Sequence, residues 1–496
     1  MSTVTITDAP LSIEDLLAVV DGAAVELDPA ARSRIQASRD AVNRAVASGE
    51  AIYGLTTGVG HGKDARLSDQ EIRLQQLMLV MTHSGGFGPP LSMDLVRAAL
   101  TVRLNGIARG GSGASPAAAN VLAAMLNAHV HPVVAETSSV GAGDLGPMAG
   151  IAQVAIGQGR AEYQGEVLPG GEALGRAGIT PLVLEAKDGL ALISANGVSI
   201  GHGALVVARA ARTAAAADVA AALSMEAISG NPSISLPVVA EAKPFPGQID
   251  AAAHLRDTLA GSSLLQGGAA HSVQDPLSFR VVPQVHGALR EYLTFARRAV
   301  QIELNSASDN PLVSVDDSTM VSNGNFHPIV LAIAFDALRV AIAHVGQLSE
   351  RRMSHLWDAF MQQMADAGPP PADGSPPMLF GLPLRYPAAA AFAELKQLAA
   401  PATLDAPPLD IGVEDHATSA PLSVRKTADA LGLLDDLLTI ELLLARDVLA
   451  SVPTMSALGS GTRAALQMVE QAMKAAATPS PDAVHRALRE RFPHVC

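Results

Sequence analysis

Four side chains in this sequence are of types that move protons or hold carboxylates, and all sit in glycine-rich or polar surroundings: Tyr53 in YGLTTGVG, His83 in MTHSGG, Arg280 in QDPLSFR and Glu414 in GVEDHATS. A phenol takes a proton near neutrality only beside positive charge, so Arg280 or a cationic substrate nitrogen would have to stand near Tyr53. A guanidinium offers two parallel N–H groups to a carboxylate and fixes its orientation as well as its charge. A glutamate paired with a lysine in a partly buried site can donate a proton to an imidazole-like ring or hold its charge. Each group also has a plainer role: a packed loop tyrosine, a structural ion pair, a surface histidine, a salt bridge. ELNSASDNP gathers Glu303, Asp309 and Asn310 and invites a metal site, but helix capping or a turn explains the same residues. TTGVGHG has the glycines of a phosphate loop without its Gly-Lys-Ser/Thr ending, so nucleotide binding is not expected.

The elements that must position these groups are mostly helical. Of 496 residues, 49% are hydrophobic, 17% charged and only 3% aromatic, enough apolar material for a large core. ALVVARAARTAAAADVAAALSMEAIS (204–229) is almost continuously small and apolar, as in a helix buried by others on most sides. Segments 280–304, 326–363 and 420–452 share that character, which predicts a long-helix bundle extended by oligomerisation. We expect a loop-rich helical N-terminal domain over 1–200, carrying Tyr53 and the Ala142-Gly143 turn, and the bundle domain over 201–496. The proline-rich stretch 367–387 reads as an ordered loop or lid within the bundle domain. A net charge of −14 argues against a nucleic-acid partner. Charges such as Asp435, Asp436, Glu441, Arg446 and Asp447 interrupt the apolar runs and argue against a membrane span. Cys496 is the only cysteine, and the N-terminus has no basic-then-apolar leader; a soluble cytoplasmic protein is expected.

Eight separated stretches, YGLTTGVG, SVGAGDLGPMAG, NGVSIG, QDPLSFRVVPQVHG, ELNSASDNP, NGNFHP, SERR and GVEDHATS, together resemble the aromatic amino acid ammonia-lyases, histidine ammonia-lyase more than the phenylalanine branch. They come in the family's order and cover nearly the whole chain. The resemblance implies a mainly α, long-helix fold of the histidine ammonia-lyase/fumarase-like type. It also implies a homotetramer whose active sites draw loops from three chains, with a small-molecule substrate and no catalytic metal. By the same resemblance Tyr53 removes a β-proton, Arg280 holds the substrate carboxylate, and His83 reads a polar ring. Glu414 and Lys396 stand near the substrate's amino group and ring, Asn196 and Gln274 add polar contacts to the carboxylate, and Asn310 and Phe326 line the site.

Two departures matter. Ammonia-releasing members carry Ala-Ser-Gly, which cyclises into a methylidene-imidazolone electrophile; here SSVGAGDLGP places Gly143 directly after Ala142, so that group is not expected, and no other cofactor is implied. The family's Asn-Gly-Thr after GLALL is delayed to Asn196-Gly197-Val198, unless Ser194-Ala195-Asn196 takes those places. Leu277 also stands where the family usually has tyrosine. A quaternary nitrogen makes the electrophile dispensable, because it has no proton to lose and leaves as a neutral amine. The sequence therefore looks like the family's electrophile-free branch, the ergothionases, which release trimethylamine from ergothioneine to give thiolurocanate. A histidine-type enzyme with another leaving group, a betaine-binding module and an inactive homologue are the alternatives.

Overall fold

The structure, a computed structural model, describes residues 2–266, 269–317, 319–367, 379–404, 406–451, 457–476 and 480–492. Helix dominates it. The four long apolar stretches form helices Gly197–Ala227, Val282–Leu304, Ile329–Ala367 and Ala420–Ala450. Two helical stretches, Asp188–Ala227 and Ile329–Asp366, are long and apolar enough to cross a bilayer, but 89% and 61% of their most apolar windows are buried in protein. Of the proline-rich stretch, 368–378 lie outside the described residues, as does Cys496. Just beyond 368–378, the backbone N–H groups of Phe380, Gly381 and Leu382 all donate to the buried Asp447 carboxylate.

The chain divides into two compact units that are not contiguous in sequence. Unit 1 joins Met1–Val206, Arg297–Phe335 and Pro401–Arg425; unit 2 joins Val207–Ala296, Asp336–Ala400 and Lys426–Cys496.

Unit 1 has one large apolar core around helix Met93–Ala108. Ser92 caps that helix by accepting the Leu95 N–H, and nearly every residue along it is buried. Helices Asp69–His83, Leu145–Ala155 and Asp188–Ile193 pack on one another in the same unit, and the last residues of two of them reach the pocket described below. Short strands fasten the loops between helices: Thr3–Ile6 pairs parallel with Ala24–Leu27, Phe87–Pro90 antiparallel with Ala135–Thr137, and Leu312–Ser314 antiparallel with Thr319–Val321. Arg103 makes a two-pronged ion pair with Asp309, at 2.8 and 3.2 Å, with both side chains buried. This gives Asp309 of ELNSASDNP a structural task, and among the described residues no group of three metal-ligating side chains gathers anywhere.

Unit 2 places its buried charges between helices. Arg352 grips both oxygens of Glu441, at 2.6 and 2.9 Å, and Ser224 adds a third bond at 2.7 Å. Asp218 accepts from the Nδ1 atoms of His254 and His286, at 2.9 and 2.7 Å, and pairs with Arg290. These pairs satisfy groups whose burial would otherwise be costly.

Candidate active site

Tyr53 lies in the loop between helices Pro29–Ser48 and Asp69–His83. The loop is a set of tight turns, with the Ile52 carbonyl accepting from the N–H groups of Leu55, Thr56 and Thr57. It then narrows to a single 3-10 turn at Gly60–Gly62. Gly60 has φ +55, and a Cβ there would overlap the Asp410 carboxylate, so the loop reaches this conformation only with glycine. The Gly60 N–H donates to the Tyr53 hydroxyl at 3.2 Å.

The SSVGAGDLGP turn stands beside this loop. Gly141, φ +79, lies where any Cβ would strike Thr418, and the Thr418 hydroxyl donates to the Gly141 carbonyl at 2.7 Å. Gly143 donates its N–H to the Phe326 carbonyl at 3.0 Å. Asp144 is fully buried and accepts from the Ser199 N–H at 2.7 Å and from the Ser199 and Ser139 hydroxyls, both at 3.0 Å. Burial pushes its carboxyl up, and these donors pull the other way.

Tyr53, His61, His83, Ala142, Ser194, Asn310, Phe326, Asp410 and Glu414, with apolar side chains such as Leu79, Leu145 and Leu190, enclose a cavity of about 360 Å³ lying wholly within unit 1. His83 ends helix Asp69–His83, and its Nδ1 sits 2.9 Å from the Leu79 carbonyl. A carbonyl only accepts, so Nδ1 is the donor of this bond. Asn310 accepts the Asn323 N–H at 3.1 Å. Glu414 is half-buried; burial first, and then the negative charge of Asp410, push its carboxyl up, while His83 acts in the opposite direction. Asp410 is held below the usual carboxylate range chiefly by the His61 side chain. The wall has two carboxylates and neither lysine nor arginine, so this face of the site suits a cation.

Of the residues singled out from sequence, Tyr53, His83, Asn310, Phe326, Glu414 and Ala142 meet at this cavity. Gly143 is the neighbour of Ala142 but lines a different depression. Asn196 is fully buried, donates Nδ2 to the Phe326 carbonyl at 2.9 Å, and is not part of the wall; Ser194 is. Arg280, Gln274 and Lys396 belong to unit 2 and do not line the cavity. Arg280 ends the short helix Leu277–Arg280 with no ion pair to its guanidinium among the described residues, and Lys396 and Gln274 are exposed. His61 and Asp410 line the cavity and were not singled out from sequence. Their pairing spans 349 residues, which leaves no local pattern to find.

A family model described as aromatic amino acid lyase matches residues 11–471. A histidine ammonia-lyase from Anaeromyxobacter sp. (strain K) is 39% identical over all of this chain and 95% of its own length. Among solved structures, ergothionase from Treponema denticola, in complex with desmethyl-ergothioneine sulfonic acid, superposes with a TM-score of 0.91 at 26% identity, covering 100% of this chain and 99% of that one. Histidine ammonia-lyase from Trypanosoma cruzi superposes at 0.85 and 27% identity, covering 100% and 94%.

Proposed function

The chain belongs to the aromatic amino acid lyase family, and from that premise we propose that it eliminates trimethylamine from ergothioneine, or from a related histidine betaine, to give thiolurocanate. Family membership supports carbon–nitrogen bond cleavage on a small amino-acid substrate. One observation carries the finer reading: Ala142 in the wall is followed directly by Gly143, with no serine where ammonia-releasing relatives carry the one that builds their electrophile. The residues there do not fit that group. No serine stands between alanine and glycine, and the Gly143 N–H is committed to Phe326.

Without an electrophile to capture the amine, the nitrogen must leave unaided. A free α-ammonium loses its own proton to a nearby base before the weakly acidic β-carbon does, whereas a trimethylammonium has none to lose. In the proposed reaction Tyr53, as phenolate, takes the β-proton. The C–H electron pair becomes the Cα–Cβ double bond, and the C–N bond breaks with its pair on nitrogen, releasing neutral trimethylamine. Glu414, whose carboxyl is pushed up by burial and by Asp410, acts in its protonated form as the donor to the thiol-imidazole ring and makes the β-proton more acidic. The negative charge of Asp410 in the wall favours the substrate cation, and Arg280 holds the carboxylate. We further propose that in a homotetramer other copies bring Arg280, Gln274 and Lys396 to this wall, and that the protein works in the cytoplasm.

A second reading, elimination from another imidazole amino acid, draws on the histidine ammonia-lyase relatives and keeps the same base and anchor. Incubation with ergothioneine while recording the ultraviolet spectrum separates the two, because only the conjugated acrylate product absorbs at long wavelength. Turnover of histidine with no change for ergothioneine favours the second reading, and silence with both favours an inactive homologue.

A further inference from the structure

We propose that His61 and Asp410 are positioning residues, a two-bond clasp through which the loop of Tyr53 and the loop of Glu414 hold each other in register across the cavity. The proposal rests on the assignment of Tyr53 as base and Glu414 as acid.

The clasp is built from one residue on each side. The His61 backbone N–H donates to Asp410 Oδ2 at 2.9 Å, and its Nδ1 lies 2.6 Å from Oδ1. With Asp410 kept as a carboxylate, Nδ1–H is the donor. Both oxygens are thus taken by a single partner, which fixes direction as well as distance. On one side the link continues from His61 through its neighbour Gly60, whose N–H donates to the Tyr53 hydroxyl at 3.2 Å. On the other side, the Leu409 N–H donates to the Glu414 carbonyl at 2.8 Å and the Glu414 N–H to the Leu409 carbonyl at 3.2 Å, closing the loop that Asp410 begins. Tyr53 and Glu414 are therefore joined by an unbroken run of hydrogen bonds and short backbone.

Two features argue that this geometry is maintained for the site rather than for the fold. Asp410, Ile411 and Gly412 all have left-handed backbones, with φ of 47, 56 and 81. That conformation suits glycine and is tolerated by aspartate but disfavoured by a β-branched residue. Ile411 is 88% exposed, so no packing offsets its strain, and strain of this kind collects where a site demands a shape. The pair is also partly open to solvent, with 68% of the His61 side chain and 27% of the Asp410 side chain exposed, and solvent-exposed ion pairs stabilise a fold little. Asp410 has a second effect through charge. It faces Glu414 together with His83 and His61, and its negative charge adds to burial in pushing the Glu414 carboxyl up.

Hydrogen–deuterium exchange of the intact full-length protein tests the clasp without any substrate. His61→Ala should speed amide exchange in residues 409–414 as well as in its own loop, and Asp410→Ala should speed exchange in residues 53–62 as well as in its own. If each substitution loosens only its own loop, the clasp is refuted. Asp410→Asn, which keeps the shape and loses the charge, supplies the kinetic arm on whichever substrate the wild type turns over. Its kcat should fall on the order of tenfold to a hundredfold with KM within about twofold, and the alkaline limb of kcat should move to lower pH as Glu414 loses its negative neighbour. An unmoved limb together with unchanged kcat overturns the positioning role. Should ergothioneine fail as a substrate while exchange remains coupled between the loops, the clasp stands and the functional assignment falls.

Discussion

Gly143 donates its backbone N–H to the carbonyl oxygen of Phe326 at 3.0 Å. The same Phe326 oxygen also accepts Asn196 Nδ2 at 2.9 Å, and no serine stands between Ala142 and Gly143 to supply a methylidene carbon. The purified protein should therefore have the intact mass its sequence encodes. A mass lower by two waters would mean that a cyclised group forms after all.

The Tyr53 hydroxyl accepts the Gly60 N–H at 3.2 Å, so Tyr53→Phe keeps ring packing and removes the proton acceptor. The expected loss in kcat is roughly two to four orders of magnitude, with helix content and melting temperature preserved. Near-normal turnover in a folded variant would exclude Tyr53 as the base.

The Arg103–Asp309 pair is buried on both sides and directly precedes Asn310 in the cavity wall. Asp309→Ala leaves a guanidinium buried without its counter-charge and should cost about 3–5 kcal/mol, whereas replacing both partners with apolar residues should cost far less. Denaturant unfolding at fixed protein concentration measures both.

Burial pushes the Glu303 carboxyl from its usual 4.5 up to about 7. The folded state then holds a proton that the unfolded state has already released between these values, so stability should fall as pH rises from 4.5 to 7 and stay lower above. Glu303→Gln should remove that slope. The variant should match the wild type below pH 4.5 and exceed it at pH 8 by at most about 3 kcal/mol. A constant difference across this range would count against the burial argument.

The long helices were legible because a buried helix needs sustained small and apolar residues, and stretches such as 204–229 have them. Tyr53, His83, Asn310, Phe326 and Glu414 were legible because each lies in a motif whose neighbours are themselves distinctive. His61 and Asp410 were not, since two polar residues on separate exposed loops show no periodicity and become partners only when folding brings those loops together. The choice between Ser194 and Asn196 was equally closed to sequence. It depends on how the chain leaves helix Asp188–Ile193, where the non-helical Ser194 (φ −77, ψ 68) brings its own side chain to the wall and Asn196 is buried against Phe326. Nor did the motifs reveal that Arg280, Gln274 and Lys396 fall in a different unit from the cavity.

The central claim is that a quaternary nitrogen takes the place of the missing electrophile, and a methylation series on one betaine tests it directly. kcat and KM for the trimethyl, dimethyl and free-amine forms of the thiol-imidazole substrate should show a sharp drop in kcat at the first step, which restores a removable N–H, with a smaller change in KM because the carboxylate and the cationic charge remain. Equal kcat across the series would contradict the account.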